Sequence, residues 1–109
     1  MINQFCCKLL RINLSKQSIK TESISDNLLK KYLGGSGLAT KYLYGEVPSK
    51  TVPLSPENKI IFATGPFQGT SILGSAKFSV VSRSPLTETF AVTKAGAEWG
   101  IMFKKAGYD

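Results

Sequence analysis

The chain has 109 residues, in which 14 Lys and Arg outweigh 7 Asp and Glu to give a formal charge of +7, and it contains no histidine. That length holds one domain with one modest core and excludes a multidomain enzyme. With 42% hydrophobic and 19% charged residues the composition is globular, which excludes the disordered, collagen-like and coiled-coil classes.

Leu10, Ile12 and Leu14 alternate within the run Lys8 to Leu14 and predict a half-buried strand with those three on its core face. Ser15 to Ser18 turns the chain, and Ile19 to Ile24 pairs back as the second arm of a hairpin. Ser25 offers a hydroxyl cap, and Asp26 an acid, to the first turn of a helix carrying Leu28, Leu29, Tyr32 and Leu33, which Gly34-Gly35 ends. A second short helix follows through Leu38, Ala39, Tyr42 and Leu43 to about Gly45. Pro48, Pro53 and Pro56 then impose a loop, because each removes a backbone donor and restricts the residue before it.

The continuous apolar run Ile60 to Ala63 predicts a strand buried on both faces. A glycine-punctuated loop spans Gly65 to Gly74, a β-rich run Lys77 to Ser82, a turn Ser84 to Thr87, and a further strand Thr89 to Thr93. The last element is a helix over Ala95 to Ala106, whose stripe of Trp99, Met102, Phe103 and Ala106 is predicted to be buried. Lys104 and Lys105 complement its C-terminal dipole, and Gly107 takes the C′ position. Strands and helices without βαβ alternation predict an α+β fold, an antiparallel or mixed sheet with a few short helices, with an unpaired sheet edge near the carboxyl end.

No apolar run reaches the roughly 18–20 residues that span a bilayer, and Met1 to Lys8 lacks the charged and apolar regions of a leader, so a soluble, cytoplasmic chain with no membrane partner is expected. Cys6 and Cys7 are adjacent and expected to be reduced. Without histidine they cannot complete a zinc site or a four-thiolate cluster, so any metal arrives inside a cofactor. Gly35 to Thr40 begins like a dinucleotide fingerprint, but Thr40 stands in for the third glycine and a helix precedes it. Gly69 and Gly74 have P-loop spacing, yet Ser75-Ala76 stand where the phosphate-binding Lys belongs. Both read as turns and helix ends. The cations are scattered from Lys8 to Lys105 without a nucleic-acid motif, which argues against a nucleic-acid partner despite the charge.

Lys94 immediately precedes the predicted last helix, where free amides and the small Ala95 and Gly96 would attract a phosphate, and Lys77, beyond the glycine-rich loop, adds a second cation. The plain alternative is a pair of solvated surface lysines, just as Trp99 reads as core rather than as a stacking platform. No acid, base or nucleophile pair stands out, so no catalytic residue is assigned to the chain.

Taken in order, Arg11-Ile12-Asn13-Leu14-Ser15, Leu33-Gly34-Gly35-Ser36-Gly37-Leu38-Ala39, Pro53-Leu54-Ser55-Pro56-Glu57-Asn58-Lys59, Gly65-Pro66 with Gly69-Thr70-Ser71, Ser84-Pro85-Leu86-Thr87, and Phe103-Lys104-Lys105-Ala106-Gly107-Tyr108-Asp109 resemble the amino-terminal domain of the tungsten-dependent aldehyde:ferredoxin oxidoreductases. The resemblance covers nearly the whole chain and implies one partial domain over 1–109, part of the base on which a bis-pterin cofactor holding tungsten, or molybdenum, sits. It implies that Lys77, Lys94 and Gly96 contact the cofactor, with magnesium bridging the pterin phosphates. Family enzymes are several times longer. The resemblance therefore places the 4Fe-4S cluster, the aldehyde cavity and the contact with ferredoxin beyond this stretch, and implies that the stretch alone is inactive. Alternatives are a pterin-phosphate binding module, or a split subunit whose partner is the remainder of the enzyme as a separate chain. Two departures stand out: Lys77 replaces the family's usual Arg, keeping charge but losing its bidentate fork, and Lys94 replaces Asn with a side chain that cannot ligate magnesium.

Overall fold

The computed structural model describes residues 6–109; residues 1–5, part of the stretch read above for a leader, lie outside the described residues. Two strands, β1 (Lys8–Asn13) and β2 (Ser18–Ser23), form the expected antiparallel hairpin, with Ile12 opposite Ile19. The Asn13 side chain makes its turn by accepting from the Lys16 N–H at 2.9 Å. Helix α1 (Asp26–Tyr32) is capped as expected by Ser25, whose hydroxyl accepts from the Leu28 N–H at 3.3 Å. It ends one residue sooner than the glycine pair suggests, on Leu33 in the left-handed region at φ 60°.

Helix α2 (Gly35–Glu46) takes Gly35-Ser36-Gly37 as its first turn, so it starts before Leu38. Strands β3 (Ile60–Ala63), β4 (Phe78–Arg83) and β5 (Phe90–Ala95) make an antiparallel sheet in the order β3-β4-β5, and α3 (Glu98–Lys105) closes the described chain. Two antiparallel sheets with three helices are an α+β arrangement. Among the described residues no helix is long and apolar enough to cross a membrane.

Both sheets rest on α2. On one flank Leu38 joins Ile24 and Leu29, with Leu9 and Tyr42 packed against them; on the other Ala39 and Leu43 join Ala63 and Val81, with Ile61 and Val47 alongside. A single helix thus contributes adjacent residues to two small cores.

Three burial expectations are corrected. In β1 the face turned to α2 carries Leu9 and Arg11, leaving Ile12 and Leu14 exposed, because Leu9 fits against Ile24 and Leu29 while the Arg11 guanidinium reaches Glu46. Strand β3 is an edge strand, not one buried on both faces: Ile61 and Ala63 meet α2, whereas Ile60 and Phe62 are open. The stripe on α3 is not buried either, with Trp99 46% and Met102 60% exposed, since the helix packs instead through Gly100 and Lys104. Its end is as expected. Gly107, at φ 94°, donates to the Lys104 carbonyl at 3.0 Å and Tyr108 to that of Phe103 at 3.4 Å, while the Phe103 and Tyr108 rings stack at 5.5 Å.

Arg11 binds both carboxylate oxygens of Glu46 at 2.8 and 2.9 Å and one of Glu22 at 3.2 Å; Lys59 adds to Glu46 at 3.5 Å. The guanidinium holds both carboxyls below the ordinary glutamate value of 4.5. A folded-state value below the unfolded one contributes stability that is present in full above 4.5 and lost as pH falls through the lower value. Glu46→Gln should therefore be about 1–2 kcal/mol less stable than the parent at pH 7, with the difference closing toward pH 3 in thermal unfolding. A constant gap across that range would contradict the network.

Candidate functional site

The loop leaving β3 is folded by its own short polar residues. Gln68 donates its main-chain N–H to the Gly65 carbonyl at 3.3 Å, and its buried side-chain amide donates to the Ala76 carbonyl at 2.8 Å, closing the loop on itself. The Gln68 amide fills the space above Gly100 of α3, where a β-carbon would lie 2.1 Å from Nε2 and 3.1 Å from the Phe78 β-carbon. Loop and helix are fitted to one another at a residue with no side chain. Lys77 emerges from this loop, exposed, directly into β4.

Lys94 is not at a helix start. It lies in β5, opposite Ser79, and α3 begins only at Glu98 after a turn through Gly96 and Ala97, the latter at φ 65°. The strand alternation of Phe90 to Ala95 continues through residues that the helical reading had claimed, and the ladder with β4 decides between them. The start of α3 also carries the acid Glu98, which opposes an anion there.

The register nevertheless brings the three site residues together. Ser79 pairs with Lys94 and Phe78 with Ala95, so carrying the same register one step further sets Lys77 opposite Gly96. Residues directly opposite share a face, which places Ser79 and Lys94 on the face turned toward α2, with Lys77 just before the end of the ladder. Gly96 has nothing within 4 Å of its β-carbon position, leaving its main chain open to approach.

A different helix start serves this cluster. Gly35, in the first turn of α2, has its β-carbon position 3.8 Å from the Ser79 hydroxyl, and the N-cap Gly34 supplies no side-chain hydrogen bond. The positive end of a twelve-residue helix thus lies beside the position opposite Lys94. The small residues Gly34-Gly35-Ser36-Gly37 let this helix start pack closely, with Gly35 donating its N–H to the Thr64 carbonyl at 2.9 Å, although nothing in the sequence placed it against β4.

On the opposite face of the sheet, Phe62, Phe78, Trp99, Phe103 and Tyr108 form a run of rings with successive centroids 4.6 to 6.4 Å apart. Trp99 is therefore half-exposed within an aromatic surface rather than core. Cys6 and Cys7 lie at the far end of β1; burial pushes both thiols up from the ordinary 9.0, and Cys6 donates to the Lys104 carbonyl at 3.4 Å. Among the described residues no cluster of three acids or cysteines could hold a metal ion.

A family model for the N-terminal domain of aldehyde ferredoxin oxidoreductase matches residues 9–109. The chain is 43% identical over 102 residues to the tungsten-containing aldehyde ferredoxin oxidoreductase of Pyrococcus horikoshii, covering 94% of this chain and 17% of that protein. It is 37% identical over 105 residues to the WOR-like subunit of an aliphatic sulfonate oxidoreductase from Pyrococcus furiosus, covering 94% and 16%. Its fold superposes with a TM-score of 0.96 and 36% identity on a chain of the active site complex BamBC of benzoyl coenzyme A reductase, solved with 1,5-dienoyl-CoA, covering 100% of this chain and 17% of that one.

Gly100→Ala tests the fit of loop to helix. The added methyl must expel the Gln68 amide, and urea unfolding should show a loss of about 1–3 kcal/mol, whereas an unchanged midpoint would mean the loop is not held there.

Proposed function

This chain belongs to the aldehyde ferredoxin oxidoreductase family, and from that premise we propose that residues 1–109 form the cofactor-binding base of a tungsten-pterin oxidoreductase. The chain spans about 17% of the length of the curated relatives it matches, so the activity of a whole enzyme is part of the proposal. The observation that carries it is the meeting of Lys77, Lys94 and Gly96 at the end of the β4–β5 ladder where α2 begins. Two ammonium groups, an accessible glycine main chain and a helix start make a donor set that fits the phosphates of a pterin cofactor.

The described residues offer no side-chain cluster for a metal, so tungsten, or molybdenum, would be held by the pterin itself. When bound, such a cofactor supplies the two-electron chemistry that converts an aldehyde and water to a carboxylic acid. The chain's own residues bind and orient. Lys77 and Lys94 act as point charges that fix the phosphates, and Gly96 lets them approach the main chain. Magnesium between the phosphates would take main-chain carbonyls near residue 94, because an ammonium cannot ligate a cation. The 4Fe-4S cluster and the ferredoxin that accepts the electrons belong, in this reading, to polypeptide outside these 109 residues.

The protein purified from cells grown with tungstate should carry tungsten and pterin in constant proportion. A Lys77→Gln/Lys94→Gln variant that keeps the parent's circular dichroism should lose them about tenfold more readily on dialysis against high salt. Absence of pterin from the parent, or equal retention by the variant, would contradict the proposal.

A further inference from the structure

The sheet-side core on α2 gives way to an open groove at the far end of the helix. Val81 of β4 is buried against Ala39 and Leu43, and ladder alternation turns Arg83, two residues on, to the same face, with Phe90 of β5 directly opposite it. The groove here has a volume of about 550 Å³. Leu43, Val47 and Pro48 wall it, and it is flanked by the rings of Tyr44 and Phe90, which are 86% and 49% exposed. Arg83 ends the strand that Lys77 precedes, about 20 Å away along β4.

This groove holds a cation that the fold leaves without an acid. Arg11 and Lys59 share Glu46, Lys20 reaches Glu22, and Lys104 pairs with Asp109, but among the described residues no carboxylate pairs with Arg83. Its Nε is buried without a hydrogen-bond partner. A guanidinium N–H shut off from water and lacking an acceptor carries a cost that an arriving acceptor removes. Glu46 is the one acid lining the groove, and its charge is already engaged by Arg11 at 2.8 Å and Lys59 at 3.5 Å. The main chain beneath Arg83 is held in place. Asn58 donates its side-chain amide to the carbonyls of Arg83 at 3.0 Å and Pro53 at 2.7 Å, and Ser84 donates its N–H to the Thr89 carbonyl at 2.8 Å. Only the side chain has to adjust to a ligand.

We infer that this groove binds an aromatic monocarboxylate, with its carboxylate on Arg83 and its ring against Tyr44 and Phe90. A guanidinium fork matches a carboxylate with two parallel N–H donors, so a tilt of the Arg83 side chain into the groove gives Nε the acceptor it lacks. Open rings beside an apolar wall take a flat ring by offset or edge-to-face contact, covering surface that helix and strand leave in water. Inorganic phosphate would use the charge but not the rings, and a neutral arene the rings but not the charge. Their combination selects a ligand that carries both. None of the residues of the cofactor reading takes part, so either inference can fail alone.

Phenylacetate is the probe, titrated into the full 109-residue chain at constant ionic strength and followed by amide chemical shifts. Saturable shifts should appear at Tyr44, Val47 and Phe90 with a Kd of about 1 mM or tighter. Phenylacetamide, of the same shape without the charge, should bind about tenfold more weakly. Arg83→Gln should weaken phenylacetate about tenfold and leave phenylacetamide unchanged, and Arg83→Lys, which keeps the charge and loses the fork, should fall between. Tyr44→Ala, at an exposed helix position, should weaken both ligands about threefold. If Arg83→Gln does not fold, the acid–amide comparison and Tyr44→Ala decide the matter alone. No saturation up to about 20 mM, equal affinity for acid and amide, unchanged binding by Arg83→Gln, or shifts gathered at Lys77 and Lys94 would overturn the inference. So would inorganic phosphate that binds the groove as tightly as phenylacetate, because the rings would then play no part.

Discussion

The buried carboxylate of Asp109 is the point on which the rest of the structure depends. It pairs with the Lys104 ammonium of α3 and accepts the Cys7 N–H at 2.6 Å, while its own main chain bonds Lys8 and Thr64. Asp109 is 5% exposed and Lys104 9%, so neither charge keeps much hydration. A buried ion pair adds little net stability compared with an apolar pair, but losing one partner strands a charge in the interior. Its consequence is geometric: hairpin, sheet and last helix are brought to one residue, and α2 supports the first two from below.

Once α3 is fixed through Lys104 and Gly100, its apolar stripe has no space inside the domain. Trp99, Met102 and Phe103 instead continue the open sheet face begun by Phe62 and Phe78. The opposite face is divided by α2 into two small cores, and the beginning of that helix meets the end of the β4–β5 ladder, where Lys77, Lys94 and Gly96 gather. Cations at one end and an aromatic surface across the back are the features on which the proposed cofactor-binding role of this aldehyde ferredoxin oxidoreductase family member rests.

Local chemistry was legible in the sequence wherever a residue acts on its own neighbours. Ser25 caps α1, Gly107 terminates α3, and the hairpin and the proline-rich loop lie where alternation and proline placed them. Burial was less legible, because periodicity defines two faces and does not say which one the rest of the chain will cover. Leu10, Ile12 and Leu14 gave the clearer alternation, yet Leu9 meets Ile24 and Leu29, since the path of α1 and α2 chooses the face. The start of α3 was misread because Ala95, Gly96 and Ala97 carry no side chain large enough to announce strand or helix, and the cross-strand ladder alone ends β5 at Ala95. Lys94, expected just before that helix, lies instead in β5, where it faces Ser79 across the ladder.

The most direct test of this account is native-state hydrogen exchange on Asp109→Asn, which keeps the shape of the side chain and removes its charge. The Ile24 amide, bonded to the Cys7 carbonyl, reports on the hairpin; Thr64 reports on the sheet and Tyr108 on the end of α3. If Asp109 ties these elements together, all three should lose protection in concert, by an amount on the order of 3 kcal/mol. Loss at Tyr108 alone, with Ile24 and Thr64 unchanged, would contradict it and reduce Asp109 to a local partner of Lys104.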